Sequence, residues 1–383
     1  MKDMKQSDVA IVGMSCHFPG ANDYDSYWQN LVAKKNSIQE IPADRWCIST
    51  HYSPEKNQIN KSISKWCGLI EDIKSFDNEF FNISPIEARN MDPQQRLLLQ
   101  ESWHCIEDSA IPLSTLQKAK TAVFAGAMTS DYLLTFNKSE DAANRFSILG
   151  NDHCILANRI SHQLNLSGES ISINAASASS LVAIHKAKSA LVLGECDYAI
   201  AAGVNLNTDP FKYIVFSQAG MLSPDGQCKS FSDDANGYVP GDGVAALLLQ
   251  PLQQAIENNH HIYGVIKGSA INHIGSGKTI TAPCADAQAA VIRDALKNAD
   301  RSIADVGYIE AHGSGTPLGD PIEVAAISRV FKDTQSDVII GTVKPNIGHL
   351  EAAAGIAGVI KALHVLKQQY IPANLNLNKV NPV

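Results

Sequence analysis

No stretch of this sequence approaches the ~18 consecutive apolar residues that a membrane-spanning helix needs. The opening Met-Lys-Asp-Met-Lys-Gln-Ser-Asp has no apolar core, so no signal peptide is expected and the expected location is cytoplasmic. Basic residues are in deficit: 31 Lys and Arg stand against 39 Asp and Glu, and a net charge of −8 argues against a general nucleic-acid binder. The eight cysteines (16, 47, 67, 105, 154, 196, 228 and 284) are scattered without a CxxC pair, which argues against a zinc site or a disulfide framework and fits reduced thiols. Internal repeats, low-complexity segments and linker-like stretches are missing as well, so domain boundaries are faintly marked.

What remains is an ordinary enzyme-like composition, 45% hydrophobic and 18% charged over 383 residues. That length is long for one core and predicts two fused units or one large layered domain. Apolar runs predict strands over 9–14, 121–126, 198–204, 244–249, 262–271, 306–310 and 338–341. Helical spacing predicts helices over 25–32, 155–164, 285–298, 321–331 and 352–367. A further helix runs to about Asp108, with Asp92 as cap and Pro93 as its first residue. Its apolar face carries Leu97, Leu98, Trp103 and Ile106. Strand and helix alternate as in parallel βαβ units, an α/β class. Residues 36–82, aromatic and aperiodic, read as an excursion packed over the core.

The chain is organised around 171–194. A β-branched run, Ile171-Ser172-Ile173, enters a small-residue turn centred on Ser177. A helix follows over 179–193, with Leu181, Val182, Ile184, Leu191 and Leu193 as its apolar positions. Ser177 therefore stands at the positive end of a helix, where strand-to-helix elbows expose nucleophiles. Ser177, Ser179 and Ser180 are equally good helix caps, which is the plainer reading of the same cluster.

Two histidines sit alike. The strand over 306–310 runs into Ala311-His312-Gly313-Ser314-Gly315-Thr316, and that over 338–341 into a loop bearing Lys344 and His349. One helix separates them, so a right-handed crossover sets both at the carboxyl ends of adjacent parallel strands, where open α/β sheets keep their sites. Paired neutral imidazoles beside a helix N-terminus can donate to one carbonyl oxygen and stabilise a developing enolate, with Lys344 tuning the field. No third ligand falls at a suitable spacing, so no metal is expected.

Several motifs carry a resemblance: Ile11-Val12-Gly13-Met14-Ser15-Cys16-His17-Phe18-Pro19-Gly20, Met91-Asp92-Pro93-Gln94-Gln95-Arg96, His312-Gly313-Ser314-Gly315-Thr316-Pro317-Leu318-Gly319-Asp320-Pro321-Ile322-Glu323 and Lys344-Pro345-Asn346-Ile347-Gly348-His349-Leu350-Glu351-Ala352-Ala353-Ala354-Gly355. From Val9 to Pro382 the chain resembles a β-ketoacyl-carrier-protein synthase (ketosynthase) domain of the modular polyketide synthase type. The resemblance implies a thiolase fold, five-layered αβαβα built from two similar halves, here 1–255 and 256–383. It implies a cytosolic homodimer working with an acyl carrier protein and other polyketide synthase domains, with no nucleic acid and no membrane. No cofactor is expected to bind directly; the carrier's phosphopantetheine arm brings the substrate. Matched to the motifs, His312 and His349 become the decarboxylating and carbonyl-polarising pair and Lys344 their supporting lysine. Ser314 and Thr316 become contacts of the phosphopantetheine arm.

Two departures qualify the match. Where the family reads Asp-Thr-Ala-Cys-Ser-Ser-Ser, this chain reads Asn174-Ala175-Ala176-Ser177-Ala178-Ser179-Ser180, so Ser177 replaces the nucleophilic cysteine. Asn174, Ala175 and Ala178 differ too, which points to natural divergence over a trapping mutation. The chain also stops at Val380-Asn381-Pro382-Val383, where the family continues to a Gly-Phe-Gly-Gly-Thr-Asn-Ala-His segment. A helix N-terminus lowers a thiol from pKa ~8.5 by about 1.5 units, enough for a cysteine and far too little for an alcohol. The expected activity is acyl transfer and decarboxylation on carrier-bound thioesters, with elongation weak or absent. The rival expectation is a catalytically silent ketosynthase-like dimer. A serine hydrolase or O-acyltransferase is a third, weakened by the lack of Gly-x-Ser-x-Gly glycines around Ser177.

Overall fold

A computed structural model describes residues 5–136, 144–276, 279–333 and 337–382; the first four residues and Val383, read above for a leader and for the ending, lie outside them. Its central sheet has six strands in the spatial order Ser170–Ile173, Thr121–Gly126, Tyr198–Asn205, Gly243–Pro251, Val9–His17, Gly264–Ile266. The first three run parallel and each remaining neighbour pair antiparallel. Strand side chains alternate between faces, so Val12, Val123, Ile200 and Leu248 enter one core with Leu98 and Leu99. Ile11, Phe124, Ala201 and Leu247 enter the other with Ala183 and Ile356. Burial on both faces explains why Val9–His17 and Gly243–Pro251 open with continuous apolar runs, over 9–14 and 243–249.

Five layers result, as the resemblance implied. Helices Pro93–Asp108 and Ile155–Leu164 cover the outer face of the sheet, and Ser179–Val192 with Ala354–Gln368 cover the inner. Beyond these lies a parallel pair, Tyr308–Glu310 and Ile339–Gly341, then helices Ala285–Ala299 and Gly319–Phe331. The expected crossover is this last unit, with its two strands side by side. Asp92 caps Pro93–Asp108 by accepting from the Gln94 amide at 2.8 Å. The 36–82 excursion holds a small hairpin, Ile38–Glu40 with Trp66–Gly68, and packs Ile41, Trp46 and Leu69 against Tyr213, Leu222 and Val239.

Three expectations change. Of the expected apolar positions of the central helix, Ile184 and Leu191 are buried, whereas Leu181 and Leu193, the latter just past the helix end, are exposed at 48% and 71%; Ser180, Ala183 and Ala187 complete the face that packs. A helix wedged between a sheet and a second helix buries its small side chains, so the larger periodic residues misplace part of the core face. The strand expected over 262–271 is paired only at Gly264–Ile266, because Val9–Ile11 is the stretch that faces it. The last helix begins at Ala354, after a 3-10 turn at Glu351–Ala353.

Candidate active site

The elbow is built by Ser177's neighbours. Ala176 takes a left-handed φ of +50°, and the turn closes through the amides of Ala178 and Ser179, each 3.1 Å from the carbonyls of Ala175 and Ala176. The Ser179 hydroxyl donates to the Ala176 carbonyl at 2.6 Å and accepts from the Ala175 amide at 2.9 Å. Ser180 Oγ accepts from the Ile356 amide at 3.1 Å, and Asn174 Nδ2 donates to the Met128 carbonyl at 2.9 Å. Thus Ser179 and Ser180 serve the scaffold, while the helix cap itself, Ala178, has no side-chain bond. Ser177 is left to face the site. Gly126 makes room for this approach: a Cβ there would lie 2.7 Å from the backbone of both Ser179 and Ser180.

His349 arrives from the other half of the chain. Its backbone is pinned on both sides, the amide donating to the Val239 carbonyl at 2.7 Å and the carbonyl accepting from the Gly241 amide at 2.9 Å. Gly348, at φ +80°, supplies the turn before it. Nε2 of His349 lies 3.2 Å from Ser177 Oγ. The rings of His312 and His349 stand edge to face with centroids 5.1 Å apart, so the elbow and both imidazoles converge as expected.

The tautomer of His349 follows from its other nitrogen. Nδ1 accepts the Glu351 amide proton at 2.8 Å, so in the neutral ring the single proton resides on Nε2. Ser177 therefore faces an N–H donor and no base. Burial first, then the charges of Lys344, His312 and Lys212, hold the pKa of His349 well below the usual histidine range.

His312 is exposed at the surface of the site, with Lys344 buried beneath it. The Lys344 ammonium donates to the His312 carbonyl, which also accepts from Thr342 Oγ1 at 3.3 Å. Lys344's charge, and secondarily the surrounding protein, lower the pKa of His312 to about 3. Burial lowers that of Lys344 itself, opposed chiefly by Glu323 and Glu310. Both rings are thus neutral near pH 7, with a cation behind them.

Sequence reading left two acids of the His312 motif without roles. Glu323 accepts from the amides of His312 at 2.6 Å and Gly313 at 2.8 Å, fixing the loop. Asp320 accepts from the amides of Phe231 at 2.7 Å and Gly315 at 3.1 Å, and from Ser314 Oγ at 3.3 Å. Their positions inside the motif were the available signal; nothing local marked Lys212, which pairs with Glu351 at 2.9 Å. Ser314 is buried with its hydroxyl engaged by Asp320 and Thr316, whereas Thr316 is half-buried. Thr316 Oγ1 also accepts from the Gly319 amide at 3.1 Å. Among the described residues no three His, Cys, Asp or Glu side chains converge as a metal site requires, and no helix is long and apolar enough to cross a membrane.

Layers in this order, closed around a histidine pair, are the thiolase-fold arrangement, and comparison with known proteins agrees. The profile "Beta-ketoacyl synthase, N-terminal domain" matches residues 6–255 and "Beta-ketoacyl synthase, C-terminal domain" matches 263–378, so the chain belongs to the beta-ketoacyl synthase family. Within it, the chain is a ketosynthase domain of the modular polyketide synthase type. Polyketide synthase PksM of Bacillus subtilis is 45% identical over 379 residues, which is 98% of this chain and 8% of PksM. The oxazolomycin ketosynthase domain OzmH KS7 of Streptomyces albus superposes with a TM-score of 0.93 at 36% identity, covering 98% of this chain and 67% of that one. The ketosynthase from module 6 of the bacillaene synthase of Bacillus subtilis, solved as a cysteine-to-serine mutant, gives 0.90 at 42% identity over 98% of this chain and 64% of that one.

Proposed function

We propose that this domain takes acyl- and malonyl-type thioesters from an acyl carrier protein and decarboxylates the malonyl unit, with carbon–carbon bond formation weak or absent. The observation that carries the reading is the neutral, Nε2-protonated His349 standing 3.2 Å from Ser177 with His312 beside it. A thioester carbonyl placed between the rings accepts hydrogen bonds from both. As the bond from Cα to the carboxylate breaks, carbon dioxide leaves and its electron pair enters an enolate whose oxygen those bonds stabilise. Lys344, charged and behind His312, favours the same build-up of negative charge. Removing one such donor from an oxyanion site typically costs about 10²–10³-fold in rate.

Acylation fares differently. An alcohol needs a base, and the nitrogen facing Ser177 donates. Any oxygen ester formed there is also a poorer electrophile than a thioester. The same reading makes the domain a cytoplasmic homodimer of two ketosynthase halves, 1–255 and 256–383, beside other polyketide synthase domains. In it Thr316, backed by Ser314, meets the phosphopantetheine arm.

Incubation with malonyl- and acyl-carrier protein, following carbon dioxide release and covalent mass, tests it. Gas without a mass increase is expected. Neither signal means a silent structural dimer, and an ester that forms and turns over means a serine acyltransferase or hydrolase.

A further inference from the structure

We infer that the buried Lys212–Glu351 ion pair positions His349: it holds Glu351 in a left-handed backbone conformation that aims the Glu351 amide at Nδ1 and keeps the ring proton on Nε2. The kinetic consequence rests on the proposed decarboxylation; the tautomer itself does not.

Glu351 has φ +45°, where a residue with a β-carbon is strained. Its amide is the one that donates to Nδ1 of His349, at 2.8 Å. Two contacts hold the residue in this state. On its side-chain end, Oε2 meets Lys212 Nζ at 2.9 Å, with the two side chains 2% and 4% exposed. Lys212, from the helix Phe211–Gln218, is itself held by Asn205 Oδ1 at 3.3 Å and by Asp131 at 3.9 Å. On the backbone end, the turn Glu351–Ala353 lies against the strand Tyr198–Asn205 at Gly203, where a Cβ would come within 3.3 Å of the Ala352 carbonyl. A buried ion pair is a poor source of net stability, and fixing one local arrangement is its best-attested use. Here the arrangement fixed is the one that makes His349 a donor toward Ser177 and toward a substrate oxygen. Lys212 and Glu351 act through His349 and are positioning residues.

The test separates charge from backbone strain. In a Lys212→Met background, which removes the cation, Glu351→Gly and Glu351→Ala are compared. Glycine adopts a positive φ without strain; alanine does not. The readouts are the 15N shifts of the His349 ring, kcat and KM for carbon dioxide release from malonyl-carrier protein, and a circular-dichroism melt. The glycine variant is expected to keep the Nε2–H tautomer and a kcat within about threefold of the native domain. The alanine variant is expected to shift His349 toward Nδ1–H and to lose about tenfold or more in kcat at unchanged KM. Equal tautomers and equal kcat in the two overturn the inference. Should the alanine variant not fold, Glu351→Gln in the same background replaces it, with the same shift expected and its absence again decisive. If the native domain releases no gas, the decarboxylation reading fails while the ring spectra still decide the tautomer.

Discussion

Ser177 Oγ and Nε2 of His349 lie 3.2 Å apart although 172 residues separate them in the chain. The contact joins the elbow of the first half to a loop of the second. Because His349 Nδ1 is occupied by the Glu351 amide, it is a contact between a hydroxyl and a donor. That polarity sets the chemistry expected of each variant.

Ser177→Cys should permit covalent loading. A thiol beside a helix N-terminus ionises usefully without a base, so an acyl-carrier protein should add one acyl mass to the variant and none to Ser177→Ala. Intact-mass spectrometry reads both. Carbon dioxide release in Ser177→Ala should stay within about threefold of the native domain, since the donors are intact.

His349→Ala and His312→Ala should each lower carbon dioxide release by about 10²–10³-fold. The double variant should lose less than the product of the two, because the rings serve one oxygen together. Headspace gas analysis under saturating malonyl-carrier protein checks this.

Lys344→Met removes the first cause of the low pKa of His312, so that ring should titrate higher, toward its ordinary 6.5. A two-dimensional NMR titration from pH 4 to pH 8 measures it. Decarboxylation should fall about tenfold as the supporting field is lost.

Stability should carry a histidine signature. The folded pKa values of His312 and His349 lie below 6.5, so the unfolded chain binds more protons as pH falls below that value, and stability is lost in the acid direction. Asp131, raised to about 6 by burial, opposes this over its own window. The comparison with His349→Asn isolates the histidine part. Between pH 7 and pH 5 the melting temperature should fall less in His349→Asn than in the native domain.

Gly126→Ala should damage the elbow from behind. The added carbon meets backbone atoms of Ser179 and Ser180 at 2.7 Å, and backbone cannot step aside. Overpacking of this kind costs about 1–3 kcal/mol. A lowered urea midpoint with an unchanged slope, together with reduced gas release, is the expected result.

The amino-acid order by itself determined the βα alternation, the capping of Pro93–Asp108 by Asp92, and the elbow around Ser177, because caps, turns and periodicity are local properties of the chain. It also marked His312 and His349 as partners, since one crossover helix leaves two loops at the same sheet end. It misjudged part of the buried face of Ser179–Val192, where close layers reward alanine over leucine. It was silent on Lys212, on the role of Glu351 and on the proton of His349. Those depend on which amide, carboxylate and ammonium meet across distant segments, and on which side of an imidazole is already taken, and only folding brings these groups within a few ångströms.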